Sequence, residues 1–362
     1  GIGIAGLEAD SPPGPFKDTL KRPLISRETP ACSEVTWLFD PAVLLDDDGE
    51  AYIYFGGGIP SPDRAANPGT ARVAKLGKDM VSIQGEPVVI ADVPYLYEDS
   101  GINKINGKYY YSYCSNFSVP EEKVLQLGFG NGEIMVMTGD TQMGPFTLAG
   151  SILKNPGYFF GREGNNHHCM FYFQDQWYIS YHTRILEERM GVLQNYRSTS
   201  IYAVQIAVNG KINAIQATRE GVSQIKTFDQ YRTNKASTIA AMAGITTTQY
   251  GESAVNSGSG DMIVTGITDG SWIMVSGVDF GGKTIKTLEV SVRGTAKGCV
   301  KVCLDDLHGE ELCIAELTPE SVGTLTACIT TVGKQVRGIH DLYFVFTGEG
   351  YEVYEWKFDG DE

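Results

Sequence analysis

Basic residues are scarce in this chain. Its 362 residues carry 29 Lys and Arg against 44 Asp and Glu, a formal charge of −15 at neutral pH. Neither nucleic acid nor a membrane is an expected partner at that charge, whereas a neutral ligand such as a sugar is compatible with it. Long apolar runs are missing too: none approaches the roughly eighteen residues of a membrane span. Extended stretches of amphipathic helical period are absent, the short Ile185–Met190 segment being the best candidate. The seven cysteines (Cys32, Cys114, Cys169, Cys299, Cys303, Cys313 and Cys328) are odd in number and include no CxxC pair. They read as small buried hydrophobes kept reduced, which argues against a disulfide framework and a zinc site and leans towards a reducing compartment, with secretion left open. The N-terminal residues Gly1–Leu7 have neither the basic start nor the apolar core of a signal peptide, and look like a strand entered midway.

Glycine and aromatic residues are plentiful, with 43 Gly, 19 Tyr and 15 Phe in a chain that is 42% hydrophobic. That composition suits a turn-rich all-β protein with a sizeable core, and the length exceeds one ordinary domain. One hairpin design recurs. Tyr97–Ile105 leads into an Asn106-Gly107 turn, which suits a type I′ hairpin, and returns as the aromatic Lys108–Tyr113 strand. Asp40–Leu45 does the same through Asp47-Asp48-Gly49 into Ala51–Phe55. His167–Phe173 follows suit through Gln174-Asp175-Gln176 into Trp177–Tyr181. Ser11–Phe16 and Thr141–Phe146 form a second echo, each following an apolar strand. A period of about sixty residues marks a radial array of small sheets, in which the first strand of each sheet lines a central channel. Asp40, Glu98 and His167 stand at equivalent strand starts and are therefore expected to face one pocket. Taken alone, each is more often a cap or a solvated end; their common register carries the inference.

Two carboxylates at such a pocket can cleave a glycosidic bond, one protonating the leaving oxygen and another carboxylate activating water. Glu98 and Asp40 fit acid and modulator. His167 either binds a metal or water in the channel or satisfies core carbonyls. Trp37, Tyr95 and Tyr97 can stack on a sugar, although strand aromatics are more often core. The long loops 61–71 and 117–129 can rim a pocket. Residues 218–228 look like a link, and from residue 229 strand-like segments follow at the shorter spacing of a β-sandwich.

The runs Ser11–Ile25, Phe39–Phe55, Glu98–Tyr113 and Asn165–His182, with Tyr196-Arg197-Ser198, resemble glycoside hydrolase family 43, five-bladed β-propeller enzymes acting on arabinose- and xylose-containing polymers. The resemblance covers residues 1 to about 225 and implies a partial catalytic propeller of about three blades and part of another. It implies that Glu98 is the general acid and that Asp40 orients it and tunes its pKa. It further implies that His167 helps hold an axial calcium or other ion through water and that Arg197 contacts the sugar; Trp37, Tyr97 and His168 complete the substrate-binding candidates, and no organic cofactor is expected. The implied activity is inverting removal of α-L-arabinofuranosyl groups from arabinoxylan or its oligosaccharides. A β-xylosidase on xylo-oligosaccharides and a non-catalytic carbohydrate-binding protein are the alternatives.

The family's general base, an aspartate early in the first blade, has no match in residues 1–34. A complementary N-terminal polypeptide that closes the ring and brings the base is therefore an expected partner. Residues 229–362 resemble a family 6 carbohydrate-binding module, through Thr268–Ile273, Val278–Gly281, Gly338–Phe346 and Tyr354–Phe358. In that resemblance Leu325 stands where a stacking tryptophan is common, Val353 where an asparagine often bonds the sugar, and Ser237 where a glutamate helps bind structural calcium. A packing domain is expected ahead of a working sugar binder.

Overall fold

Period-two apolar runs separated by Gly, Asn and Asp fold here as antiparallel hairpins. A computed structural model describes residues 3–10, 15–190, 195, 197–250 and 261–361. As far as these residues go, the chain divides into one unit of Gly1–Glu8 with Lys17–Ser223 and another of Ala9–Phe16 with Gln224–Glu362. Residues 11–14 of the Ser11–Phe16 echo, and Tyr196 of the arginine motif, lie outside the described residues.

In the first unit a short pair, β1 (Gly3–Ile4) and β2 (Ile25–Ser26), precedes three up-and-down sheets. The first sheet is β3 (Ala42–Leu45), β4 (Ala51–Phe55), β5 (Arg72–Leu76) and β6 (Ile83–Val89). The second is β7 (Leu96–Ile105), β8 (Lys108–Ser115), β9 (Ile134–Gly139) and β10 (Phe146–Leu153). The third is β11 (His168–Phe173), β12 (Gln176–Thr183) and β13 (Ser198–Val204). The described helices are short: α1 (Val124–Leu127), α2 (Pro156–Phe160) and α3 (Ile185–Met190), the last where the sequence suggested one.

The turns follow the sequence closely. Asn106 and Gly107 have φ of 51° and 79°, both left-handed as a type I′ turn requires, and Ile105 pairs with Lys108 across it. Gln174 and Asp175, at φ 48° and 61°, close β11 onto β12 in the same manner, so that Gln176 belongs to the return strand and not to the turn. The innermost strand β7 adjoins both β3 and β11. Sheets that radiate from adjacent first strands are the propeller arrangement.

Strand alternation then builds the core. Tyr109, Tyr111 and Tyr113 on one face of β8 pack with Tyr52, Tyr54, Val73, Met135 and Met137. Tyr110 and Cys114 on the other face join Ile134, Val136, Met170, Ile179 and Tyr181. Tyr95 lies in the first of these clusters, 6% exposed and edge-on to Phe129, so it is core and not a sugar platform. All seven cysteines are free, but Cys169 is exposed and Cys299 only half-buried, contrary to the expectation that they are all interior.

The second unit is a sandwich of two antiparallel sheets. Its strands are β14 (Asn234–Lys235), β15 (Ala241–Ala243), β16 (Thr246–Gln249), β17 (Met262–Thr265), β18 (Trp272–Asp279) and β19 (Thr284–Gly294). They continue with β20 (Gly298–Leu304), β21 (Glu311–Leu317), β22 (Thr326–Gln335), β23 (Ile339–Thr347) and β24 (Tyr351–Gly360). One sheet runs β16-β17-β24-β19-β22 with β14 also on β24; the other runs β15-β18-β23-β20-β21. Between them lies an apolar core that includes Val290, Val302, Phe344, Trp356 and Phe358. Val353 is part of it, 2% exposed and paired with Val264 and Val292. A side chain at that position points into the sandwich and cannot reach a sugar, which corrects the comparison with a ligand-bonding asparagine.

Candidate active site

The three strand starts do converge. Asp40 precedes β3, Glu98 lies near the start of β7 and His167 immediately precedes β11, and their ligand atoms all lie within 4.8 Å of one another. His167 Nε2 is 2.9 Å from Glu98 Oε1 and 3.6 Å from Asp40 Oδ2. Asn165 Nδ2 donates to the same Glu98 oxygen at 2.8 Å. Asp40 and Glu98 stand closer than the roughly 6.5 Å an inverting pair needs to admit its water, so Asp40 suits a modulator and not the base.

Backbone conformation fixes this convergence. Asp40 and Asp99 have φ of 46° and 71°, a left-handed conformation that costs non-glycine residues on the order of 1–3 kcal/mol. Hydrogen bonds from the side chains offset part of it. Asp40 Oδ2 accepts the Asp99 N–H at 3.3 Å, and Asp99 Oδ2 accepts the His168 N–H at 2.9 Å. A register shift between Glu98 and Gly101 interrupts the β7–β8 ladder here, and such bulges re-aim side chains beside active sites.

An aromatic wall adjoins the carboxylates. Trp37 lies edge-on to Phe39 and Tyr97, with centroids 5.3 and 5.1 Å away, and Tyr97 lies edge-on to Phe117 at 5.4 Å. Gly57 and Gly58 make room: a Cβ on Gly57 would lie 2.4 Å from the Tyr97 carbonyl oxygen, and one on Gly58 2.8 Å from the Trp37 ring. Phe117 is 44% exposed and was missed from sequence, where it was only one end of a long loop. Asn165 was missed too, because an amide beside two histidines carries no spacing signal of its own.

Arg197, exposed just before β13, acts on Glu98 and His182 through its charge. His168 departs from expectation. Its side chain is 1% exposed, its Nδ1 is 2.5 Å from Asp99 Oδ2 and its Nε2 2.7 Å from Ser112 Oγ. Both ring nitrogens are engaged in the interior, which leaves neither free to bond a sugar and corrects His168 as a substrate-binding candidate.

The electrostatics reverse a simple assignment. Burial raises Asp40, the His167 charge opposes this, and the nearby Glu98 adds to it, leaving the carboxyl above its ordinary value. Burial would also raise Glu98, but hydrogen bonds from His167 and Asn165 and the charges of His167 and Arg197 outweigh it and hold Glu98 low. Burial depresses His167, yet the Glu98 hydrogen bond and the Asp99, Glu98 and Asp40 charges raise it overall. In these residues alone the surroundings favour the charged forms of both Glu98 and His167, while Asp40 is shifted towards its protonated form.

Calcium takes six to eight oxygen ligands. Asp40 and Glu98 supply carboxylates, but the third member is an imidazole nitrogen already committed to Glu98, and among the described residues no other such group exists. This is not a calcium cage.

Comparison with known proteins agrees with the geometry. Residues 2–212 match the model of glycosyl hydrolases family 43, and residues 235–360 that of carbohydrate binding module family 6. An arabinoxylan arabinofuranohydrolase of Paenibacillus polymyxa is 43% identical over 358 residues, 97% of this chain and 55% of that protein. An arabinoxylan arabinofuranohydrolase of Bacillus subtilis (strain 168) is 41% identical over 360 residues, 97% of this chain and 68% of that protein. The chain thus spans just over half of the first relative and about two thirds of the second. The crystal structure of a glycoside hydrolase family 43 arabinoxylan arabinofuranohydrolase from Bacillus subtilis in complex with cellotetraose matches at a TM-score of 0.90 and 39% identity, covering 100% of this chain and 75% of that one. With a carboxylate pair brought together by the first strands of its propeller sheets, a sandwich module in the same chain and relatives this similar along nearly its whole length, the chain belongs to glycosyl hydrolase family 43.

Proposed function

We propose that this chain is the acid-bearing part of an inverting α-L-arabinofuranosidase that removes α-L-arabinofuranosyl groups from arabinoxylan or its oligosaccharides. The observation that carries the proposal is the meeting of Asp40, Glu98 and His167 within 4.8 Å on a family 43 scaffold. The names of the two relatives, both arabinoxylan arabinofuranohydrolases, support the choice of sugar. In this reading the ring has five blades, of which residues 1 to about 225 supply about three and part of another. A complementary N-terminal polypeptide closes it and carries the aspartate base. Residues 229–362 serve as a packing module.

Glu98 gives its proton to the glycosidic oxygen while the base takes one from water on the opposite face of the sugar. Asp40 orients Glu98; Arg197 and the wall of Trp37 and Tyr97 hold the sugar. Closure of the site must lift Glu98 from the low value it has in these residues alone, and both a second anion and the exclusion of water by the sugar act in that direction. An axial calcium enters only as a largely water-held ion beside His167, and no step passes through it.

The test is native mass spectrometry of the purified protein followed by hydrolysis of aryl α-L-arabinofuranoside and aryl β-D-xyloside by the complete assembly. The expected result is a second polypeptide, faster turnover of the arabinofuranoside and inversion at the anomeric carbon by proton NMR. Glu98→Gln is expected to lower kcat roughly 100- to 10,000-fold. Faster turnover of the xyloside would favour a β-xylosidase. No turnover of either substrate by the complete assembly would leave a carbohydrate-binding protein, and retention of configuration would overturn the mechanism.

A further inference from the structure

Asp99 takes no part in the reaction just described, yet it is 5% exposed and hydrogen-bonded through one carboxylate oxygen. Its Oδ2 accepts the His168 backbone N–H at 2.9 Å and lies 2.5 Å from Nδ1 of the same residue. The other nitrogen of that ring, Nε2, is 2.7 Å from Oγ of Ser112, which is 1% exposed on β8. On its remaining side Asp99 Oδ1 is 3.7 Å from Nδ1 of His167, and His167 Nε2 is 2.9 Å from Glu98 Oε1. Hydrogen bonds thus link Ser112, His168 and Asp99 on one side and His167 with Glu98 on the other, and the two sets meet where Asp99 Oδ1 faces His167 Nδ1 at 3.7 Å, too far for a hydrogen bond but within reach of charge.

Two features indicate that this path is built and not incidental. Gly101 stands opposite Ser112 in the β7–β8 ladder, and a Cβ there would lie 2.4 Å from Ser112 Oγ and 3.1 Å from His168 Nε2. The contact exists because that side chain is missing. The charge state of Asp99 governs the direction of the bonds. With Asp99 ionised its carboxylate only accepts, so the brace requires the His168 proton on Nδ1 towards Asp99 and leaves Nε2 to accept the Ser112 hydroxyl. The two His168 contacts at Oδ2 offset part of the cost of burying this carboxyl.

We propose that Asp99, braced by His168 and Ser112, is a positioning residue that sets the orientation of the His167 ring and through it the Glu98 carboxylate. The proposal rests on the glycosidase reading for its kinetic consequence, though not for its geometry. Removing the brace leaves the sugar contacts in place and loosens the acid, so kcat should fall while KM holds.

The test uses the complete assembly with three variants. Asp99→Asn keeps the volume and tolerates the left-handed backbone but turns an amide donor towards one of its neighbours. His168→Asn keeps a donor near the place of Nδ1, whereas His168→Gln keeps a polar group only near the place of Nε2. Asp99→Asn and His168→Gln are expected to lower kcat roughly 10- to 100-fold with KM within about twofold, and His168→Asn to recover most of the loss. Equal kcat in the two His168 variants, or losses that merely follow the folded fraction, would overturn the proposal, and the His168 pair decides it if Asp99→Asn fails to fold. Nitrogen-15 NMR of the histidine rings in this chain alone gives a second readout: His168 protonated on Nδ1 supports the brace, and protonation on Nε2 overturns it. If the assembly hydrolyses neither sugar, the glycosidase reading fails by itself and the tautomer still decides the brace.

Discussion

Glu98 and His182 show how much a single side chain depends on its surroundings. Glu98 is 7% exposed and nevertheless shifted downward, because His167 and Asn165 hydrogen-bond to it from just before β11. His182 is the opposite case: neither of its ring nitrogens has a partner among the described residues. Burial, then the charges of Arg197, His167 and Arg184, push it down to about 4. An unfolded histidine titrates near 6.5, so between about pH 6.5 and 4 the unfolded chain takes up a proton that the folded one refuses. Stability should therefore fall across that window as the pH drops. His182→Leu should flatten that part of the decline, read as the difference in melting temperature between variant and parent at pH 7 and pH 5. A decline of equal size in both proteins would show that His182 is not its source.

Among the elements, Asp46 ties the first two sheets of the propeller together. It is 5% exposed in the turn after β3, and it receives Lys104 Nζ at 2.5 Å, the Tyr109 hydroxyl at 2.7 Å and the Gln142 amide. These bonds hold its carboxyl far below the ordinary range despite burial, which acts the other way. Asp46→Asn is expected to cost about 2 kcal/mol at pH 7, the scale of hydrogen bonds to a charged group. The difference should shrink as the pH falls below about 4, because the stabilisation requires the ionised carboxylate and is lost on its protonation; urea unfolding at pH 7 and pH 3.5 measures both. Gly101→Ala tests the packing of β7 on β8. Its new methyl has no room beside Ser112 Oγ, so a loss of roughly 1–3 kcal/mol is expected by the same method, and a neutral result would mean that the two strands separate freely there.

The hairpins themselves were legible in the sequence, because Asn106-Gly107 and the apolar alternation are local signals. The Asp46 tie was not, since its partners lie 58, 63 and 96 residues away and nothing in the spacing announces them.

At the scale of the whole molecule, each of the two units encloses its own core. The sandwich cluster runs from Ala236 to Phe358, and the propeller clusters stay within Ile4 to Ala217. Residues 224–362 produced alone should therefore melt in one cooperative transition with a β-sheet circular dichroism spectrum; a featureless melt would show that this core is insufficient by itself. In the propeller unit, Val43 and Leu45 on β3 are 50% and 68% exposed. If a complementary polypeptide closes the ring, their amides should gain protection from hydrogen exchange in the assembly, and unchanged exchange would place that partner elsewhere.

The sequence by itself determined the all-β class, the hairpin repeats, the change of spacing beyond residue 229 and the equivalence of Asp40, Glu98 and His167. All of these are local or periodic properties, written in alternation and turn chemistry. Only the tertiary structure decided which neighbours those residues have. It turned His168 inward onto Asp99 and Ser112, placed Tyr95 and Val353 in cores, and set Asn165 against Glu98 and Phe117 against Tyr97. It also shifted Glu98 down and Asp40 up. Burial and charge depend on side chains brought together from distant parts of the chain, and a linear pattern does not contain those distances.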